Sequence, residues 1–320
     1  MSPRQAEVGA AFGLSSMRAA VANAPLLRRL LGALPLALLA LAALTPLAFA
    51  DAWSPESGGS PNADDIDTLY WVTMAVALVV FFGVEAILFY SLYKFKARKG
   101  AVAAQIRGNT RLEIGWTVGA ALILVVLAVF TFTLLDDIRN PPDSDEGAYQ
   151  ASNGSSVLVA AGPNKPVSPS GRQLEIDVNG QQYLWRYTYP DGDRNPLNDV
   201  FSYEEMVVPV GTTVVLSIRA QDVAHSWWIP KLGGKADAVP GYTNFAWFKI
   251  PPEQEGTVFT GQCAELCGRN HANMTARVKA VSVEDFEAFL AGRRREIDSA
   301  NQTAQQQREQ LERARTGAQE

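Results

Sequence analysis

Three of the four cysteine and histidine residues of this chain stand within nine positions, in the stretch GQCAELCGRNHANM. Cys263 and Cys267 are four residues apart, His271 follows four residues later, and Met274 three after that. Two runs with a β pattern, TVFTG and ARVKA, flank the stretch, so we expect a loop that folds its side chains around one point. Thiolate, imidazole and thioether groups together form a soft ligand set that suits copper.

The other histidine, His225, stands at the far end of the run VVLSIRAQDVA and could supply a second imidazole. A single electron-transfer copper of the blue type uses two histidines, one cysteine and a weak methionine. The chain offers one cysteine more than such a site needs. Two neighbouring thiolates can each bridge two metals, so a two-copper centre accounts for the second cysteine.

Two other chemistries remain open for the same residues. Two cysteines in an oxidising compartment usually form a disulfide, but a disulfide leaves the clustering of His271 and Met274 unexplained. Structural zinc accepts two cysteines and two histidines but has no use for Met274. The residue types therefore favour copper over zinc or a disulfide.

The elements that must position these residues divide at about Asp136 of the 320-residue chain. Three long apolar runs precede Leu135, and the sequence after Asp136 is typical of a water-soluble domain. The chain is 48% hydrophobic with a formal net charge of −5. This balance gives no reason to expect nucleic-acid binding.

The first apolar run follows two arginines and ends in AFA before Asp51. A basic segment, an apolar stretch and a small-residue cleavage site describe a secretory signal peptide. The run is also long enough for a retained transmembrane helix, but its two prolines and small-residue ending favour removal after Ala50. We therefore predict a cleaved signal peptide over residues 1–50 and an extracytoplasmic segment over residues 51–69.

The second and third runs, Tyr70 to Tyr93 and Gly115 to Leu135, each supply the roughly 20 apolar residues that cross a bilayer. The loop between them, residues 94–112, is rich in lysine and arginine, which is typical of cytoplasmic loops. Aspartates flank both outer ends. The sequence predicts a transmembrane helical hairpin over residues 70–138 of a cell (plasma or inner) membrane protein, with both termini outside.

Residues 139–171 have the composition of a linker. Short β-patterned runs fill residues 172–291 and predict a small sandwich or barrel, closed by the helical segment VEDFEAFL with Ser282 as its cap. Residues 292–320 form a polar tail, predicted to be a solvated or frayed helix.

The pattern C-x-E-x-C-G-x-x-H-x-x-M, with DVAHSWWIP and KADAVPGYTN before it, resembles subunit II of the haem–copper cytochrome c oxidases. The similarity covers roughly Asp64 to Leu290. It implies an all-β cupredoxin domain, a Greek-key sandwich or barrel, that carries a two-copper (CuA) centre. The implied ligands are five side chains and one backbone carbonyl: His225, Cys263, Cys267, His271, Met274 and, through its carbonyl, Glu265. The Glu265 carboxylate would bind a Mg2+ ion shared with subunit I, because a hard carboxylate suits that ion.

The family's aromatic run, G-H-Q-W-Y-W-x-Y-E-Y, is matched in part by GQQYLWRYTY. Its first tryptophan receives the electron from cytochrome c, and Tyr183 occupies that position here. Leu184 replaces an aromatic residue, whereas Trp185 matches. Tyr183 and Trp185 are therefore the expected electron-accepting residues, although alternating aromatics on a strand often only pack a core.

Two carboxylates in the predicted membrane part, Glu113 and Glu85, could have functional roles. Glu113, in LEIGWT, matches a glutamate that stands at the cytoplasmic mouth of a proton channel into subunit I in the family. The alternative is an ordinary acid stabilised by the helix dipole. Glu85 lies within the first span, where a carboxylate is costly. It could be functional or could simply bond to another subunit.

A cytochrome c donor generally presents lysines around its haem edge, so its docking surface should be acidic. Asp222, three residues before His225, is the acid most securely placed near copper. Five further acids could extend the patch: Asp191, Asp193, Asp199, Glu204 and Glu205. They could equally be solvated loop acids.

These features and the resemblance predict an electron-transfer subunit of an aerobic respiratory cytochrome c oxidase. It would pass electrons from cytochrome c to the haem of subunit I, where O2 becomes water with proton pumping, and would also meet subunit III. Two histidines cannot ligate two haems and a third copper, so the O2 site must lie on subunit I. Three alternative functions fit less well. Nitrous oxide reductase needs a further histidine-rich copper cluster, and a quinol oxidase subunit lacks the copper ligands. A membrane-anchored copper carrier would need neither Glu113 nor a carboxylate for a shared Mg2+ ion.

Overall fold

The computed structural model describes residues 54–96, 100, 102, 104–149, 165–191 and 198–317. All of them belong to one compact unit, Ser54–Glu320. The predicted signal peptide and Asp193 lie outside the described residues.

Two long helices, α1 (Pro61–Lys94) and α2 (Thr110–Arg139), pack against each other as the predicted hairpin. Both are long and apolar enough to cross a membrane, at 34 and 30 residues. Each extends beyond its apolar run because the polar flanks carry helix-starting residues. Proline opens α1 at the first helical position. The Asn109 side chain caps α2 by accepting a hydrogen bond from the Leu112 N–H at 3.2 Å.

In the part of the chain that the structure describes, ten strands then build two packed sheets and a small ribbon. The strands are β1 (Leu174–Gln181), β2 (Leu184–Tyr189), β3 (Val200–Tyr203), β4 (Glu205–Pro209), β5 (Thr213–Ala220), β6 (His225–Trp227), β7 (Ala236–Ala238), β8 (Asn244–Lys249), β9 (Val258–Gln262) and β10 (Thr275–Val281). One sheet has the order β3-β2-β1-β5-β8, another β4-β10-β9, and the ribbon pairs β6 with β7. The predicted β-sandwich after a helical hairpin is confirmed.

The sandwich core follows from the alternation in the sequence. Leu174, Ile176 and Val178 of β1 point inward and alternate with half-buried residues. β1 runs parallel to β5 and antiparallel to β2, which brings Trp185 and Tyr187 into the same core with no exposed surface. Burying each large side chain contributes about 1.5–3 kcal/mol.

The sandwich is joined to the outer ends of the two helices by specific hydrogen bonds. The Asn62 amide donates to the Trp247 carbonyl at 2.9 Å, and the Lys249 N–H donates to the Ser60 hydroxyl at 3.0 Å. The Trp247 indole donates to the Ile138 carbonyl at 3.0 Å. Because these contacts come from both helices, the sandwich is fixed at the end of the hairpin that lies opposite the basic loop.

A third helix, α3 (Val283–Gly317), closes the domain. Ser282 caps it as predicted, accepting a hydrogen bond from the Asp285 N–H at 3.1 Å. Phe286 is fully buried, which anchors the first turns. The polar tail, predicted to be a solvated or frayed helix, continues the same helix beyond Leu290. Ion pairs such as Arg293 with Glu296, at 2.8 Å, support this exposed part.

Candidate metal centre

The metal loop, residues 263–274, connects β9 to β10 and is closed by its own backbone. The Cys263 N–H donates to the Met274 carbonyl at 2.9 Å, which brings the two ends of the loop together. The Ala264 N–H donates to the Ser226 carbonyl at 2.9 Å, which ties the loop to β6. Strand pairing at the base of the loop therefore carries Met274 to the two cysteines, and β6 carries His225.

The two cysteines are buried, at 3% and 4% exposure, and are both free thiols. Their sulfur atoms lie 3.9 Å apart. That distance far exceeds the bond length of about 2.05 Å in a disulfide. It is shorter than twice a metal–sulfur bond of about 2.3 Å, so one metal ion can contact both sulfurs.

His225 faces this pair from β6 with no exposed surface. Its Nδ1 lies 3.8 Å from the Cys263 Sγ, and its Nε2 lies 2.9 Å from Oδ1 of Asp222. A carboxylate only accepts hydrogen bonds, so it favours the proton on Nε2 and leaves the Nδ1 lone pair toward the sulfurs. His225, Cys263 and Cys267 form a group whose ligand atoms all lie within 4.8 Å of one another.

The remaining candidate ligands meet the same sulfurs. Nδ1 of half-buried His271 lies 3.5 Å from the Cys267 Sγ, and Sδ of fully buried Met274 lies 3.8 Å from it. The Glu265 carbonyl lies 3.2 Å from the Cys263 Sγ, while the Glu265 residue is exposed. The structure thus brings together all six residues of the predicted ligand set.

Two further features define the environment of these ligands. Burial, reinforced by the Cys263 thiol, raises the pKa of Cys267 to about 11, so a bound metal must displace its proton. His225 is also packed against the indole of Trp185, with ring centroids 5.8 Å apart. Gly180 permits this packing, because a Cβ there would lie 3.0 Å from Trp185 and 3.1 Å from His225.

The Asp222 carboxylate is held in place by three hydrogen bonds, unlike an acid on an open docking surface. Besides His225, its carboxylate accepts from the Val223 N–H at 2.7 Å and from the Gln182 N–H at 2.7 Å. Partial burial opposes ionisation, but these hydrogen bonds outweigh it and hold the pKa of Asp222 below its usual value. Asp222 therefore orients a candidate ligand whatever else it does.

The two predicted electron-accepting residues occupy different environments. Tyr183 is half-buried in the turn between β1 and β2 and lies directly on the metal loop. Trp185 is fully buried, so within this chain it offers a docked protein no exposed surface. The same turn carries Gln182, which hydrogen-bonds to the metal loop and which the sequence did not single out. Its only sequence signal is its position inside the aromatic run.

Several acids of the suggested docking patch already have partners. Asp191 pairs with Arg294 at 2.9 Å, and Glu204 faces Arg277 at 3.7 Å. Asp199 is 9% exposed and accepts from the Asp191 N–H. These contacts reduce the negative charge that the acids of this segment present to a cytochrome c donor.

The two membrane carboxylates lie far along the helices from the metal loop. Glu113, in the first turn of α2, accepts a hydrogen bond from the Asn109 N–H at 3.3 Å. It therefore helps to cap the helix that it begins. Glu85 is partly shielded within α1.

Two family models match the chain: "Cytochrome C oxidase subunit II, transmembrane domain" over residues 48–134 and "Cytochrome C oxidase subunit II, periplasmic domain" over residues 197–281. Cytochrome c oxidase subunit 2 of Alkalihalophilus pseudofirmus is 34% identical over 242 residues, which cover 75% of this chain and 61% of that protein. The subunit 2 protein of Cereibacter sphaeroides is 30% identical over 276 residues, covering 74% of this chain and 80% of the relative.

Among solved structures, the periplasmic domain of subunit II of cytochrome oxidase from Bradyrhizobium japonicum is 30% identical, with a TM-score of 0.35. The alignment covers 39% of this chain and 95% of that domain. The helical hairpin, the β-sandwich and the two family matches agree. The chain is a membrane protein that belongs to the cytochrome c oxidase subunit II family.

Proposed function

We propose that this chain is the electron-accepting subunit of an aerobic respiratory oxidase. It takes electrons from cytochrome c at a two-copper centre and passes them to the haem of subunit I, where O2 is reduced to water with proton pumping. One observation carries the proposal: two imidazoles, one thioether and one backbone carbonyl converge on two buried thiols that are not joined to each other.

The donor set fits copper better than zinc. Met274 is fully buried with its sulfur 3.8 Å from the Cys267 Sγ, and a thioether is a ligand for copper rather than for structural zinc. The sulfurs of Cys263 and Cys267, 3.9 Å apart, would hold a copper pair together with the other ligands. When bound, a copper pair supplies a one-electron acceptor and donor at this position.

The residues of the chain hold that position and limit access to it. The carboxylate of Asp222 fixes the ring of His225, and the indole of Trp185 packs against that ring in an edge-type contact. Burial of Cys263 and Cys267 keeps water away from the thiolates. A rigid, dry ligand cage reduces the rearrangement that accompanies each electron transfer.

Glu265 is assigned two roles. Its carbonyl, 3.2 Å from the Cys263 Sγ, completes the copper ligands. Its residue is exposed, so the carboxylate is available to a Mg2+ ion shared with subunit I.

The membrane part is assigned the topology of an outer sandwich and an inner basic loop. The positive-inside rule places the loop between α1 and α2 in the cytoplasm, and the sandwich is joined to the opposite ends of the helices. Glu113 would then stand at the cytoplasmic surface, where it could pass protons into subunit I. Subunit III is a further expected neighbour in the bilayer.

Reduction of the copper-loaded chain by cytochrome c tests this proposal. The full chain in detergent, loaded with copper and mixed rapidly with reduced cytochrome c, should accept one electron per chain. Cys263→Ser, which lacks one bridging thiolate, should accept none. If the chain retains copper but cytochrome c does not reduce it, the result would instead favour a membrane-anchored copper carrier.

A further inference from the structure

The turn between β1 and β2 makes two polar contacts with the surroundings of the metal loop, and Gln182 makes both. Its side-chain amide donates to the Cys267 carbonyl at 2.6 Å. Its backbone N–H donates to Oδ2 of Asp222 at 2.7 Å. A carbonyl oxygen only accepts, so the NH2 group of the amide must face Cys267.

Cys267 is the residue whose backbone most needs to be held. Its sulfur lies within 3.9 Å of three candidate ligand atoms, on Cys263, His271 and Met274. The direction of its Cα–Cβ bond follows the orientation of its peptide group. A hydrogen bond to its carbonyl therefore helps to set where the sulfur points.

The residue after Cys267 shows how closely the turn lies on the loop. Gly268 has a φ of +131°, in a region that favours glycine. A Cβ at this position would lie 2.6 Å from the Tyr183 hydroxyl and 2.9 Å from the Gln182 amide nitrogen. Because Gly268 has no side chain, the metal loop leaves room for the side chains of Tyr183 and Gln182.

Gln182 is exposed, so its hydrogen bond to the Cys267 carbonyl is not part of the packing of the core. Its side chain makes no other hydrogen bond among the described residues than the one to Cys267. Removing the side chain of an exposed residue usually changes folding stability little. Contacts that orient metal ligands, in contrast, change metal affinity by about 10–100-fold when they are lost.

We propose that Gln182 is a positioning residue for the copper centre. Its side chain holds the Cys267 peptide, and its backbone holds the acid that orients His225. Gln182 thereby helps to position both the thiolate of Cys267 and the imidazole of His225. This inference rests on the proposed copper function and adds a residue to it.

Two substitutions remove the donated hydrogen bond in different ways. Gln182→Glu keeps the size of the side chain but replaces the donating NH2 group by an acceptor. Gln182→Ala removes the side chain and keeps the backbone N–H. Gln181→Ala is the matched control, because the neighbouring glutamine bonds to Gln221 and not to the metal loop.

The measurements are copper retention by the full chain against a competing chelator, the optical and electron-spin spectra, and the unfolding midpoint of the metal-free chain. Both Gln182 variants should lose copper about 10–100-fold more readily and show altered spectra. Gln181→Ala should match wild type, and the metal-free midpoints should all coincide.

Wild-type affinity and spectra in both Gln182 variants would overturn the inference. So would an equal loss of copper in Gln181→Ala, or a matching fall in metal-free stability, since either would indicate general weakening of the turn. If wild type itself takes up no copper, the proposed function fails first and this inference fails with it. Normal uptake by every variant rejects this inference alone.

Discussion

The carboxylate of Asp222 accepts a hydrogen bond from Nε2 of His225 at 2.9 Å, opposite the ring nitrogen that faces Cys263. The acid that is best placed to attract a basic donor also orients a candidate metal ligand. Charge steering and ligand orientation respond differently to salt, which makes the two roles separable.

Asp222→Asn should slow second-order reduction of copper by cytochrome c at low salt. Steering by charge is screened over about 8–10 Å near physiological salt, so that part of the effect should shrink as salt rises. A second part should persist, because an amide holds His225 less firmly than a carboxylate does. Rapid mixing across a salt series measures both parts. Glu205→Gln, which removes a charge without touching a ligand, should show only the screened part. A defect in Asp222→Asn that vanishes at high salt would argue against the orienting role.

Tyr183→Leu should lower the rate of electron transfer within the docked complex, with little change in its salt dependence. The half-buried ring lies on the metal loop against Gly268, so it bridges the gap between a docked donor and the ligands. Tyr183→Trp should preserve the rate. The first-order phase at saturating cytochrome c is the quantity to measure.

The comparison variant for Tyr183 is Trp185→Leu, which alters the packing against His225. If Trp185→Leu slows transfer while Tyr183→Leu does not, electrons pass through the buried indole. If neither has an effect, the donor uses another surface.

Met274→Leu should be milder than either cysteine substitution. Leucine nearly conserves the volume of this fully buried side chain, so the folding cost should stay below about 1.5 kcal/mol. A thioether is a weak ligand that mainly tunes reduction potential. We expect copper to be retained with a shifted potential, measured by redox titration. Cys267→Ser should lose the two-copper signal, because a hydroxyl is too hard and too weakly acidic to bridge. Complete loss of copper from Met274→Leu would contradict this ranking.

Glu113→Gln should slow steady-state turnover of the assembled oxidase while copper content and reduction by cytochrome c stay normal. The amide oxygen of glutamine can still accept from the Asn109 N–H, so the helix cap survives while the titratable group is lost. Glu113→Ala removes both and serves as the comparison. Normal turnover in Glu113→Gln with a defect only in Glu113→Ala would identify the glutamate as a helix cap.

The architecture follows from the sequence because its signals are local and strong. The apolar runs around Leu78 and Leu124 predict helices long enough to cross a bilayer, and the alternation of Leu174, Ile176 and Val178 predicts an inward strand face. The ligand types and their spacing predict the metal loop for the same reason. The hydrogen bonds from Gln182 to Asp222 and to Cys267 could not be predicted, because they join residues 40 and 85 positions apart. The polar tail is helical as predicted, but its continuity with the helix that Ser282 caps could not be predicted, because its polar surface lacks an apolar period.

The central claim is a two-copper centre built on two bridging thiolates, and metal analysis combined with electron-spin and optical spectra of the purified full chain tests it most directly. The account predicts two coppers per chain and, in the oxidised form, one unpaired electron shared between both nuclei. One copper with the spectrum of a mononuclear blue site would contradict it. So would zinc in place of copper, or a Cys263–Cys267 disulfide in the metal-loaded protein.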